Sequence, residues 1–557
     1  MQKFNVKHNR MDTAPSGTFG VCPVAPDALA GIQRQQTNPA RWNGEGWDAF
    51  VAALRETQVN VLEGMNARGA FATDAGGTAY GLPHGVVIAE SAEQIARLLR
   101  TAQTHGVPVT VRGGGLTTEG ESVAFGGVLL DMTGMSNVIA IDRVGSTVRT
   151  QAGIFWHSLA EELRRENFDY LSAPLNLTST VGGSLNVGGI DVNSPRLGCS
   201  ADQAVSVQVV TPTGEIVECS DADNAALFQR VILGYGQFGV ITEVTLNIRP
   251  YTPVRMQYFY YSSLRTAVLD LQMLDRGDAS DYSGILTIMD SAINLLVAFD
   301  SAEREARFNR EWRHRLKGHG ELGFALRALP RYLLQPWKWA EALYLYKRKT
   351  ELFPEFRRPE FLREGLLHDR TVVFSRAVWN FWGGRQMVIP DLATSAGKFV
   401  EAVERGNAVC KKYFPHYTLY CVGIKLREEH RPHYEMSCIP PDAQGWAYGC
   451  EFEPVIGDAV YSRDHLQSFK NEIYDIGVAI GASYYRFGGM MKGYIRRVFG
   501  DEVVDRHLAM KRAADPLQGA AARRHARGPR ACDRGLLAVR RVRTDLPRKY
   551  RRRRRDA

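Results

Sequence analysis

A strand that runs directly into three consecutive glycines constrains this chain more than any other feature. Val109-Thr110-Val111-Arg112 alternates as a β-strand does, and Gly113-Gly114-Gly115 follows at once, then Leu116-Thr117-Thr118-Glu119-Gly120-Glu121-Ser122. Residues without a Cβ let the backbone turn tightly and present several N–H groups to one point, a nest that binds an anion such as a pyrophosphate. Thr117 and Ser122 bring hydroxyls to the same loop. An ordinary glycine turn would read alike, and the spacing matches neither a G-x-G-x-x-G that opens a helix nor a P-loop. Two more glycine motifs follow in order. Leu177-Thr178-Ser179-Thr180-Val181-Gly182-Gly183-Ser184-Leu185-Asn186-Val187-Gly188-Gly189-Ile190 carries two glycine pairs that let backbone lie flat against a planar group. Gly234-Tyr235-Gly236-Gln237-Phe238-Gly239-Val240-Ile241-Thr242 is a glycine-spaced entry into a strand.

The surrounding segments set these loops among short strands and helices. VVIAE (86–90) reads as a strand, Ser91 as the cap of a helix whose apolar residues recur at Ile95, Leu98, Leu99 and Ala102, and Gly106 as its end. Segments 127–132, 138–142 and 147–153 are strand-like, 157–167 is an amphipathic helix, and 204–219 is a hairpin turning at 212–214. Beyond Pro250 aromatic residues increase, a basic tryptophan-bearing helical stretch runs from 302 to about 349, and strands return at 284–289, 370–378 and 417–426. The reading is an α+β chain. Residues 1–69 form an arm and entry helix, 70–250 a first domain, and 251–477 a second α+β domain. Residues 478–516, with a helix at about 503–514, return to the first domain, and 517–557 form a basic tail.

The formal net charge of +9 resides in that tail, which holds 14 Arg and 1 Lys against 3 Asp and leaves −3 on residues 1–516. A basic groove for nucleic acid is therefore not expected. The tail itself is open to three accounts: a tether for nucleic acid or an anionic surface, a non-functional solvated extension, or the product of a reading-frame change in a GC-rich gene. The 8 cysteines form no C-x-x-C pair and no zinc spacing, and no stretch approaches 18 apolar residues. The N-terminus lacks the apolar core of a signal peptide. A cytoplasmic protein with no membrane span and no metal is the expectation.

Taken in order, a glycine-rich loop, then T-V-G-G, then G-x-G-x-F-G-V-I-T resembles the FAD-binding domain of the vanillyl-alcohol-oxidase superfamily. The runs VVTPTGEIVECS and LFQRVILGYGQFGVITEVTLNIRP are most similar to cytokinin dehydrogenases, as are SDYSGILTIMD and VWNFWGGRQMVIPD farther on. The resemblance implies a PCMH-type two-lobed FAD-binding domain, with the α+β substrate (cap) domain inserted before a closing C-terminal segment. It implies a cofactor site made of Val111, Arg112, Gly113, Gly114, Gly115, Leu116, Thr117, Glu121 and Ser122 around the pyrophosphate. Thr180, Gly182, Gly183, Asn186 and Ile190 would line pyrophosphate and flavin, Ile241 the adenine end, and Tyr485 would match a family tyrosine near the flavin. Lys511 and Asp515-Pro516 match the family's closing helix.

Three departures refine the expectation. Leu116 stands where relatives carry a histidine bonded to flavin, and Thr178 and Ser179 stand where others carry a second, cysteinyl link, so the FAD is expected to be non-covalent. Leu175 occupies the place of the aspartate with which cytokinin dehydrogenases take the substrate proton, and leucine cannot act as a base. The closing N-P-G-Q or S-P-G-Q is replaced by Leu517-Gln518-Gly519. The function expected is an FAD-dependent oxidase or dehydrogenase of secondary metabolism. It would take a hydride from a C–H next to N or O of a small organic substrate and pass electrons to O2 or another acceptor. Tyr485 is the candidate catalytic base, if Arg486 assists it, with Asp191, Glu451 and Glu453 as other acids, and Trp379, Phe381 and Trp382 as pocket aromatics. The alternative is a degenerate or truncated relative that binds flavin weakly or not at all.

Overall fold

The computed structural model describes residues 4–5, 10–11, 42, 44–174, 176–190, 193–252, 255–276, 283–289, 292–320, 388–415, 417–426, 439–454, 461–486 and 493–515. Leu175, Asp191, the segment 370–378, the three pocket aromatics at 379–382 and the tail lie outside them.

The first lobe is a parallel sheet of β1 (Gly85–Ile88), β2 (Val109–Arg112) and β3 (Val128–Asp131) in the order β1-β3-β2. Parallel neighbours need a crossover, and the helix read from the 3.6-residue period supplies one. Helix α1 (Trp47–Glu56) and helix α2 (Ala92–His105) share one core with this sheet through Phe50, Leu54, Ile95, Leu98, Val128 and Leu130. Ser91 caps α2 by accepting Gln94 N–H at 3.2 Å, and Gly106 ends it in the left-handed region at φ +67°.

The second lobe is antiparallel. Its strands are β4 (Val138–Asp142), β5 (Thr147–Gln151), β6 (Phe168–Tyr170), β7 (Ala204–Val210), β8 (Ile216–Ser220) and β9 (Val240–Pro250), in the order β8-β7-β9-β5-β4, with β6 on the end of β9. Helix α3 (Trp156–Arg165) and the five-residue helix α4 (Val181–Leu185) cover it. Trp156, Leu159, Leu163, Val207, Val244 and Leu246 meet in the core, and the Trp156 indole donates to Ser184 Oγ at 2.9 Å.

The cap is one antiparallel seven-stranded sheet of β10 (Arg255–Tyr261), β11 (Ser283–Met289), β12 (Ala292–Phe299), β13 (His319–Gly320), β14 (Asp391–Ser395), β15 (Tyr417–Lys425) and β16 (Trp446–Pro454), ordered β13-β10-β12-β11-β15-β16-β14. Side chains alternate between its faces. One face carries Leu286, Leu295, Leu419, Cys421, Cys450 and Phe452 against helices α5 (Leu264–Arg276), α6 (Ala302–Glu311), α7 (Phe399–Tyr413) and α8 (Arg463–Ile480). The other carries Ile285, Leu296 and Val422, packed with Ile190 of the second lobe. On that same face the register partners Asn294, Thr287, Tyr420, Glu451 and Asp391 form one polar row across five strands.

Helix α9 (Asp501–Ala514) leans back on the second lobe. Met510 and Ala514 pack on its core, and His507 Nε2 lies 3.2 Å from Gln237 Oε1. Among the described residues no helix is long and apolar enough to cross a membrane, and no group of three or more His, Cys, Asp or Glu could hold a metal ion.

Candidate cofactor site

Strand β2 carries Arg112 into the interior, where it is 1% exposed. Its Nη1 donates to Thr73 O at 2.9 Å, and its guanidinium lies over the Phe71 ring at 5.6 Å. Nε and Nη2 have no acceptor among the described residues. Burial lowers its pKa, against the pull of Asp74 and Asp131, yet a guanidinium remains a cation at neutral pH. The backbone then turns. Gly115 sits at φ +67°, and a Cβ on it would meet Arg112 Nη2 at 2.3 Å. A Cβ on Gly113 would lie 2.3 Å from Thr180 Oγ1, and one on Gly114 2.9 Å from the Thr178 carbonyl. The first two glycine motifs therefore pack on each other with no room for larger residues.

The loop's carbonyls are tied down: Gly115 O accepts Ala75 N–H at 2.9 Å and Thr117 O accepts Gly76 N–H at 3.1 Å. Its donors are not. Among the described residues none of the N–H groups of 113–117 donates to another part of the chain. Consecutive unspent amides beside a partly unpaired buried guanidinium fit the pyrophosphate of a dinucleotide.

The hydroxyls expected to face the ligand are engaged within the chain instead. Thr117 Oγ1 donates to Asp74 Oδ2 at 2.8 Å and lies 2.6 Å from Ser122 Oγ. Asp74 also accepts Gly120 N–H at 2.7 Å and Gly76 N–H at 3.1 Å. Burial, then repulsion from Glu121, pushes its pKa up to about 7 despite those bonds. Glu121 accepts the Glu119 N–H at 2.9 Å, and burial raises its pKa. Glu119 forms a buried ion pair with Lys470 of α8 and accepts the Tyr474 hydroxyl at 3.3 Å. Asp74, Glu119 and Lys470 were not legible as site residues. The only local signal for Asp74 was the Gly76-Gly77 pair: a Cβ at Gly76 would meet Thr118 O at 2.0 Å.

In the second motif Thr180 caps α4 by accepting Gly183 N–H at 3.3 Å. Gly182 presses on Ala152, where a Cβ would fall 2.8 Å from that residue's own. Asn186 joins the second motif to the third: its Nδ2 donates to Gly182 O at 2.8 Å, and its Oδ1 accepts Gly236 N–H at 2.8 Å. Tyr235 donates its hydroxyl to Tyr485 O at 3.1 Å, and Tyr485 Oη accepts Gly189 N–H at 2.8 Å. Ile190 reaches the cap's apolar clusters. Val111 packs half-buried on the first-lobe core, Leu116 is half-buried, and the Ile241 side chain is buried inside the second lobe. His157 is held by the Leu177 carbonyl, 3.1 Å from Nδ1.

Tyr485 stands on a charged floor from the cap. Its N–H donates to Asp391 Oδ1 at 2.5 Å. Arg486 donates to Glu451 at 2.7 Å and to Asp391 at 3.4 Å, with its guanidinium 5.2 Å from the Tyr485 ring centre. Burial pushes Asp391 up to about 7 against Arg486, and burial with the neighbouring Glu451 pushes Glu453 up to about 8. Sequence reasoning named Glu451 and Glu453 but not Asp391, which enters from a distant edge strand.

Residues 83–220 match the family model of the FAD binding domain. An uncharacterized oxidoreductase, ORF5 in the fasciation locus of Rhodococcoides fascians, is 34% identical over 198 residues, 34% of this chain and 43% of that protein. Cytokinin dehydrogenase 3 of Arabidopsis thaliana is 29% identical over 253 residues, 44% of this chain and 47% of that protein. The chain thus matches less than half the length of these relatives. A xylooligosaccharide oxidase from Myceliophthora thermophila C1, solved in complex with xylobiose, superposes with a TM-score of 0.63 at 15% identity, over 84% of this chain and 97% of that one. Residues 83–220 thus resemble an FAD binding domain, set within a chain of α+β architecture. The likeness to the vanillyl-alcohol-oxidase superfamily and its cytokinin dehydrogenases, read from the motifs, is borne out by the matched domain and by the relatives' names, and the xylooligosaccharide oxidase shares the fold.

Proposed function

We propose that this protein holds FAD without a covalent bond and oxidises a small organic substrate at a C–H beside nitrogen or oxygen, with O2 or another acceptor taking the electrons. The observation that carries this reading is the run of unspent N–H groups at 113–117 packed against the Thr180 turn. Those amides and Arg112 would hold the pyrophosphate. Thr180, Gly182, Gly183, Asn186 and Ile190 would line the rest, with Ile241 toward the adenine. When bound, FAD supplies hydride acceptance. Leu116 offers no nucleophilic atom, and Thr178 and Ser179 offer no thiol, which supports non-covalent binding.

The chain's own part is positioning and proton transfer. Tyr485 is the proposed proton acceptor. The Gly189 N–H and the Arg486 guanidinium put positive charge beside its ring and hydroxyl, an electrostatic setting suited to that role. The polar row of the cap sheet, Thr287, Tyr420 and Glu451, is the proposed substrate side. The test is a visible spectrum of purified protein before and after acid precipitation. Flavin bands that move to the supernatant as FAD support the reading. Bands that stay with the pellet refute non-covalent attachment. A colourless protein that takes up no added FAD favours the degenerate relative.

A further inference from the structure

We propose that Tyr235 is a positioning residue for Tyr485: its hydroxyl, carried on a strained turn of the second lobe, sets where the Tyr485 phenol stands. The inference rests on the reading of Tyr485 as proton acceptor. Its starting point is a local concentration of backbone strain. Among the described residues six non-glycine positions have positive φ. Gln58, Ser146, Asn167 and Asn224 are polar residues in turns or bends beside helix and strand ends. The other two, Leu233 at +55° and Tyr235 at +52°, are large and lie two positions apart in one turn. A bulky side chain in the left-handed region is costly, whereas glycine adopts it freely. Such strain persists only where the surroundings hold it, and it gathers at functional sites.

The surroundings do hold it. Leu233 N–H donates to Leu185 O at 2.8 Å, Tyr235 N–H to Asn186 O at 3.1 Å, and Gly236 N–H to Asn186 Oδ1 at 2.8 Å. Both strained side chains then bear on Tyr485. A Cβ on Gly188, which sits at φ +118°, would lie 3.2 Å from Leu233 Cδ2 and 3.3 Å from Tyr485 Cε2, so the Leu233 side chain and the Tyr485 ring close on the same stretch of backbone. The Tyr235 hydroxyl donates to Tyr485 O at 3.1 Å, while Tyr485 N–H donates to Asp391 Oδ1 at 2.5 Å. The main chain of Tyr485 is thus gripped from the second lobe on one side and from the cap on the other. Its phenol oxygen, at the far end of a rigid ring, meets Gly189 N–H at 2.8 Å. A small tilt of that main chain swings the oxygen farther than the backbone itself moves, and a misplacement of about 1 Å can slow a reaction about 100-fold. Were stability the only demand on position 235, glycine would take the turn without strain. What glycine cannot supply is the hydroxyl that reaches Tyr485.

The test is amide hydrogen exchange, read by mass spectrometry on fragments spanning residues 186–190 of the full chain, and it needs neither substrate nor bound FAD. Tyr235→Phe keeps the ring and removes the donor. Exchange at Gly189 should quicken about tenfold or more, toward the rate in Tyr485→Phe, while the amides of β7 stay as in the wild type. Tyr261→Phe, which loses a buried bond to Asp270 of 2.8 Å in the cap core, should leave Gly189 unchanged. Tyr235→Gly relieves the strained φ and should still expose Gly189, so the comparison survives if the phenylalanine variant fails to fold. In stopped-flow flavin reduction with an amine or alcohol found by screening, Tyr235→Phe should lower the limiting rate about tenfold with the half-saturating concentration unchanged. Wild-type exchange at Gly189 in Tyr235→Phe, quickening spread equally over β7, or an unchanged limiting rate where Tyr485→Phe is slow overturns the proposal. Quickened exchange together with wild-type flavin reduction in Tyr485→Phe would instead uphold the coupling and refute Tyr485 as the proton acceptor.

Discussion

The hydroxyl of Tyr485 accepts the amide N–H of Gly189 at 2.8 Å, across 296 positions of sequence. One bond thus ties the glycine-paired turn of the second lobe to the segment that follows the cap. Tyr485→Phe removes the acceptor and the proposed proton carrier together. Bound FAD should be retained, substrate-driven flavin reduction should slow by about 100-fold or more, and stability should fall by about 1–3 kcal/mol from the orphaned amide. Stopped-flow absorbance and denaturant titration read the two effects apart. Flavin reduction at the wild-type rate would remove Tyr485 from the chemistry.

Gly113→Val and Gly115→Ala test the loop separately. At 113 the clash is with Thr180 Oγ1, 2.3 Å from a Cβ, and at 115 it is with the Arg112 guanidinium, compounded by the positive φ. Backbone strain of the second kind costs about 1–2 kcal/mol. Both variants should purify without yellow colour, or lose FAD on dilution, whereas Gly64→Ala, with nothing within 4 Å, should not.

Asp74 predicts a slope of stability with pH. Its folded pKa is about 7 against an ordinary value of 3.8, so between those values the folded chain keeps a proton that the unfolded chain has released. Stability therefore falls as pH rises through that window and levels above it, by at most about 1.4 kcal/mol per unit for this one group. Comparing wild type with Asp74→Asn at pH 4, 5, 6 and 7 by urea unfolding isolates the contribution. A difference that does not change with pH would show that Asp74 is ionised throughout.

The buried Lys470–Glu119 pair joins the glycine loop to α8. Removing one partner strands the other charge, so Lys470→Met should cost about 3–5 kcal/mol, while Lys470→Met with Glu119→Leu should recover most of it. A double-mutant cycle by chemical denaturation measures the coupling. Additive losses would mean that the two groups do not interact.

The glycine loops and their flanking strands were legible because their causes are local: alternation, a missing Cβ, a cap at Ser91 and a stop at Gly106. The hairpin strands at Ala204–Val210 and Ile216–Ser220 and the closing helix near 503–514 emerged for the same reason. The cap was only half read. Strand β12, AINLLVAF, is a continuous apolar run, and such runs do not distinguish a buried strand from a helix segment by period. The helix Arg463–Ile480 went unnamed although it carries both Lys470 and Tyr474 to the loop. Asp391 and Lys470 join the site only through tertiary contacts, and no spacing within the sequence encodes those, whereas Arg486 is read there as the neighbour of Tyr485.

The return of α9 to the second lobe, and of Tyr485 to Gly189, bears on how the chain is made as well as on what it holds. Synthesis runs from the N-terminus, so both lobes must emerge and wait while more than two hundred residues of cap are added before their last helix arrives. Contacts so far apart in sequence form slowly, because the loop between them must close first. The carbonyls of the turn at Gly188-Gly189 find Ser200 and Ala201 within the lobe, but the Gly189 N–H must wait for Tyr485 and is among the last donors to be satisfied during biogenesis. Early flavin capture would have to rest on the loop at 113–117 and its packing against Thr180, both complete long before the cap exists.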